Sequence, residues 1–153
     1  MYEWALFLHL AGGICFFAGL AVATVGQLAA RGRQRPGEIA VLLRAARRGV
    51  LLVGAGTVAA VASGLWLLDL TAYGAESWVL ASLGLLVFAA LAGAVGGQSS
   101  KRARRLAEAL GREGDRPTEE LHDLLRRPLA DALNLAAGAA AAAILVLMVW
   151  KPG

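Results

Sequence analysis

Cysteine is almost missing from this chain. The single copy, Cys15, rules out an intrachain disulfide and any Cys-rich metal centre, and it leaves the redox compartment unmarked. Charge is scarce as well, at 17% of residues against about 25% in an ordinary soluble domain. The scarcity is concentrated: the stretches 4–30, 49–68, 77–97 and 132–150 contain no Asp, Glu, Lys or Arg. Without an acid deep in a span, a small proton-coupled transporter is the weakest of the function classes open to the chain. Soft ligands are few: one histidine, His9, and one methionine, Met148, lie inside these stretches, too few for a copper path.

What fills the uncharged stretches is Ala, Gly, Leu and Val, in a chain that is 58% hydrophobic. Each is close to the ~20 residues that carry a helix across ~30 Å of hydrocarbon. Their Gly and Ala would weaken a soluble helix but suit close helix packing in lipid. The expected fold is all-α: a four-helix transmembrane bundle, up-down-up-down, forming a single membrane domain over 1–153. A signal peptide is the rival reading of the first span, and Ala21-Val22-Ala23 offers a small-residue cleavage site. Glu3 stands where a signal peptide carries positive charge, so the span reads as retained.

Basic residues give the orientation. Fourteen of the fifteen Lys and Arg fall in two segments, six in 31–48 and eight in 98–131, whereas 69–76 has none. The positive-inside rule puts both basic segments in the cytoplasm and both termini outside, N-out/C-out. Trp4, Trp66, Trp78 and Trp150 all fall at the outward ends of the spans, where indole rings favour the headgroup region. The net charge of +4 does not point to nucleic acid, because the cations flank apolar runs, where they orient helices and meet anionic lipid.

The two cytoplasmic segments read as helical extensions. Pro36 followed by Glu38 is a helix start leading into span two. Span three continues through Arg104 and Glu108, an i, i+4 pair, and stops at Gly111. After a polar turn over 112–117, Thr118 caps a short amphipathic helix with Leu121, Leu124 and Leu125 on one side, ending before Pro128 and span four.

Few residues offer chemistry. His9 lies five residues past Trp4, about 7–8 Å into the outer leaflet. A 3.6-residue period puts Gly13, Phe16, Leu20, Ala23 and Gln27 on its stripe, which is expected to face inward because imidazole and amide are costly against lipid. His9 can then hydrogen-bond another helix, ligate a cofactor or metal, or carry a proton. Met148 shares a seven-residue stripe with Asn134 and Ala141 and lies near the depth of His9, so the two form a workable haem axial pair or Cu(I) environment. Cys15 reads as a small buried hydrophobe, Asp131 as a helix-start acid, and His122 as solvated surface. The Gly49, Gly56, Ser63 and Ser82, Ala89, Gly96 stripes read as packing seams.

The segment Trp4-Ala-Leu-Phe-Leu-His9-Leu, followed by Phe17-Ala18-Gly19-Leu20, resembles the first span of four-span bacterial proteins allied to copper-resistance protein D. The end Leu147-Met148-Val149-Trp150-Lys151-Pro152 resembles the close of an uncharacterised branch of that group. The piece from His9 to Leu20 is also similar to the opening of HemJ-type proteins, and that resemblance implies a haem-binding role for His9. After Leu20 the chain departs from that pattern, reading Ala21-Val22-Ala23-Thr24-Val25-Gly26, so no oxidase activity is carried over.

Two function classes follow. One is a haem- or metal-associated protein built on His9, with haem b ahead of copper, and with Met148 or the histidine of a second copy as the other axial ligand. The other is a non-enzymatic membrane subunit or assembly factor in which His9 serves packing. No diagnostic catalytic motif is present, so an enzyme is not expected. Expected partners are the lipid bilayer with its anionic lipids and a second copy or another membrane protein.

Overall fold

The computed structural model describes residues 1–71 and 76–151, and among these every regular element is a helix. The chain divides into two compact units, Met1–Gln34 with Glu38–Gly74, and Arg35–Gly37 with Ala75–Gly153.

The first unit is a pair of long helices, α1 (Tyr2–Arg31) and, from Glu38 onward, α2 (Pro36–Thr71). With 30 and 36 residues they rise about 45 and 54 Å, enough to cross the hydrocarbon and protrude from it. α1 ends at Gly32, whose amide donates to the Ala29 carbonyl while that of Arg33 donates to the Ala30 carbonyl. Pro36 opens α2, where a missing N–H costs nothing. Along α1 from Gly12 to Gly19 to Gly26, the facing backbone nitrogen of α2 falls from Ala60 to Val53 to Ala46, so the helices are antiparallel.

Their contact is backbone on backbone. A Cβ on Gly12 would stand 2.6 Å from the Ala60 nitrogen, one on Gly19 2.7 Å from the Val53 nitrogen, and one on Gly49 2.6 Å from the Ala23 nitrogen. Only glycine fits such an approach, and in lipid the approach is what holds helices together, because the hydrophobic effect does not distinguish lipid from a neighbouring helix. The buried face of α1 is Ala5, Gly12, Gly19, Ala23, Gly26 and Ala30, a seven-residue repeat of small side chains with two flanking alanines. On α2 the Gly49, Gly56, Ser63 seam is buried, as its spacing predicts. The stripe expected through His9 and Gln27 is not the seam of α1: Gly13 faces open space, Phe16 and Leu20 are half-buried, and only Ala23 is shared. Bulky side chains at 16 and 20 would hold the backbones apart, so the small-residue heptad sets the face. For the same reason Cys15 stands outside the seam and is exposed rather than buried.

The second unit contains α3 (Ser77–Leu110), α4 (Glu119–Leu125) and α5 (Pro128–Trp150). α3 runs straight from its apolar stretch through the Arg104–Glu108 ion pair at 2.9 Å and stops at Gly111, as the sequence predicts. Its buried residues, Ser82, Ala92, Gly96, Ser99, Ala103 and Ala107, are all small apart from Val79. α5 packs antiparallel to it. Gly96 meets the Ala130 carbonyl, Leu133 and the Asn134 side chain, while at the other end the Lys151 ammonium lies 5.8 Å over the Trp78 ring. Thr118 accepts from the Leu121 amide to start α4, whose Leu121, Leu124 and Leu125 are buried.

A polar tie completes this unit. In the turn after α3, Gly114 and Asp115 take φ of +114° and +56°. Asp115 is among the few side chains that tolerate the left-handed region. This conformation accompanies a 2.6 Å hydrogen bond from the Gly37 amide to Asp115 Oδ1. Gly37 lies in the first turn of α2, where amides have no partner within the helix, so the carboxylate caps it from 78 residues away.

Candidate functional site

The one imidazole inside a span is held by α2. Gly12 lies one turn from His9, and the contact of its backbone with Ala60 brings the Ala60 carbonyl within 2.8 Å of His9 Nδ1. Gly64, the next turn of α2, supplies the space for the ring: a Cβ there would come 3.2 Å from both Nδ1 and Cε1. Of the two glycines beside His9 in sequence, Gly12 makes this geometry and Gly13 faces open space. Gly64 was not picked out by sequence reasoning, although it adjoins Ser63 of the α2 seam.

Chemistry fixes the tautomer. A carbonyl oxygen only accepts, so Nδ1 must be the protonated nitrogen, and in the neutral ring the free lone pair is on Nε2. The donated bond satisfies a group that is costly in hydrocarbon. It also presents Nε2 in the form metal-ligating histidines use, with the other ring nitrogen tied to a carbonyl.

Several hydroxyls of the long helices are spent on their own helix. Thr57, Ser63 and Thr71 donate to the carbonyls of Val53, Ala59 and Leu67 at 2.6–2.8 Å, and Ser82 does the same to Trp78 in α3. Met148 lies on α5 in the second unit and is 36% exposed. Asp131 is in the first turn of α5, and His122 in α4 is partly exposed. Among the described residues, no three of His, Cys, Asp and Glu are grouped so as to hold a metal ion. The first unit thus brings His9 to Ala60 and Gly64, while Met148 sits on an open face of its own helix.

Large apolar side chains cover the outside of the helices, among them Phe7, Ile14 and Val25 on α1, Val58 on α2, Val87 and Leu91 on α3, and Leu135 and Val149 on α5. A water-soluble protein does not expose such a surface. With four helices long and apolar enough to cross a bilayer, the chain is an integral membrane protein. It belongs to the family described as predicted integral membrane protein (DUF2269), whose model matches residues 4–152. No curated protein and no solved structure matches the chain, so the likeness to copper-resistance protein D and HemJ-type proteins gains no support there.

Proposed function

We propose that this protein is a non-enzymatic subunit of a bacterial-type inner membrane, a single four-helix domain with both termini outside, whose role is to pack against another membrane protein. The observation that supports this reading is the bond from His9 Nδ1 to the Ala60 carbonyl. It uses the one imidazole of the spans as a clasp between α1 and α2, at the place where the glycine seam brings the backbones together. The hydroxyls of Thr57, Ser63 and Thr71 on α2 are committed to carbonyls of their own helix. The N-out/C-out arrangement is supported by the basic segments at 31–48 and 98–131.

A second reading has its own support. The tautomer that the clasp imposes leaves Nε2 as a lone-pair donor, suited to haem b or, less well, to a copper ion. His9 would hold such a group and the Ala60 carbonyl would orient the ring. Absorption spectroscopy of the detergent-purified protein, expressed with excess haem, separates the two. The subunit reading expects no Soret band. A band that His9→Ala abolishes would overturn it and establish the cofactor reading.

A further inference from the structure

The arginines at the Gly49 end of the α2 apolar stretch lack what the other ion pairs have. Arg33 faces Glu38 at 3.8 Å and Arg104 is bonded to Glu108 at 2.9 Å. Arg44, Arg47 and Arg48 are all exposed, and no described acidic group pairs with them. They stand three and four residues apart on one helix, where like charges repel. Val41, Arg44, Ala45 and Arg48 also line an open concavity of about 300 Å³. The uncharged stretch of α2 begins at Gly49, so these guanidiniums lie within about 8 Å of the hydrocarbon edge, the level of lipid phosphates.

We propose that this face of α2 binds the headgroup of an anionic phospholipid, with one phosphodiester held between the guanidiniums of Arg44 and Arg48. A guanidinium offers paired N–H donors that match two phosphate oxygens, and two of them one helical turn apart bracket a single phosphate. Val41 and Ala45 then lie under the carbons of a glycerol headgroup, and Arg47 adds charge beside them. The inference requires α2 to cross the bilayer and is independent of the role of His9 and of which face is cytoplasmic. A Soret band would overturn the proposed function and leave this site untouched.

Native mass spectrometry of protein released from bilayers of phosphatidylcholine and phosphatidylglycerol tests it. The wild-type chain should retain phosphatidylglycerol selectively. R44Q/R48Q should weaken that retention about thirtyfold, the effect of losing two direct charge-assisted contacts to one phosphate. R102Q/R105Q, which removes the same charge from exposed positions of α3, should weaken it no more than a few fold. R44K/R48K keeps the charge that guides insertion and loses the paired donors, so a loss of about fivefold is expected even if the glutamine variant inserts poorly. Equal losses in the α2 and α3 variants, or an unchanged lysine variant, would overturn the site in favour of diffuse charge. Inorganic phosphate that competes as tightly as the lipid would overturn the lipid assignment.

Discussion

His9 shows what a single side chain contributes when its partner is backbone. Interhelical hydrogen bonds in membranes are worth about 0.6 kcal/mol on average and up to ~1.7 kcal/mol. His9→Ala should therefore lower the stability of the detergent-solubilised protein by about 1 kcal/mol, while His9→Gln, which keeps an N–H donor, should recover part of it. Equal losses for both would show that the bond to Ala60 contributes nothing. The glycines divide just as sharply. Gly56→Ala would place a Cβ 2.5 Å from the Phe16 nitrogen and should cost about 1–3 kcal/mol by forcing the helices apart. Gly13→Ala and Gly54→Ala meet nothing within 4 Å and should be neutral or stabilising in the same thermal assay. Losses at Gly13 or Gly54 as large as at Gly56 would mean that the seam is not where the geometry puts it. Sequence singled out His9 because an ionisable group in a span needs a partner. It could not single out Ala60, since a backbone carbonyl leaves no trace in side-chain identity, and the inward stripe it drew through Gly13 missed because residue size, not polarity, governs the close approach.

At the level of the element, most boundaries were legible because their causes are local. Pro36 and Pro128 start helices for want of an N–H, Gly111 follows the last turn of α3, and Thr118 caps α4 from one turn away. The α2 seam was legible too, since small residues every seven positions have few other uses in a span, and that of α3 in part, with Ser82 and Gly96 buried but Ala89 only half-buried. The tie between Asp115 and Gly37 was not, because it joins residues 78 apart and depends on a left-handed Asp that no local pattern announces. It is also testable by itself. Asp115→Ala removes the acceptor from the first turn of α2 and should cost about 1–2 kcal/mol, in the range of other caps. Asp115→Asn keeps an acceptor and should cost less. Hydrogen exchange at the Gly37 amide reads this directly: faster in the alanine variant, near wild type in the asparagine one. Unchanged exchange in both would show that the carboxylate does not protect α2.

For the whole molecule, the proposed arrangement in the bilayer rests on where charge is placed. Six arginines precede the apolar stretch of α2 and eight cations follow that of α3, whereas the segment 69–76 between these helices carries only Asp69 and Glu76. Cations near span ends resist transfer across the membrane, and acids contribute little, so the bias alone sets direction. Both helix pairs are antiparallel within their units, so under the proposed four-span arrangement each pair returns to the face from which it set out. Compartment-sensitive reporters inserted in 72–75 and in 112–117 should therefore read outside and cytoplasmic, respectively. Both reporting from one face would mean that α3 does not cross, and would overturn the four-span arrangement. A stronger test acts on the cause: replacing Arg31, Arg33, Arg35, Arg44, Arg47 and Arg48 with glutamate should mix or invert the orientation of the first pair, whereas no single substitution inside a span should do so. Retained orientation in that variant would show that the cations of 98–131 suffice to orient the chain, and that the first segment's charge serves another end, such as holding lipid phosphate.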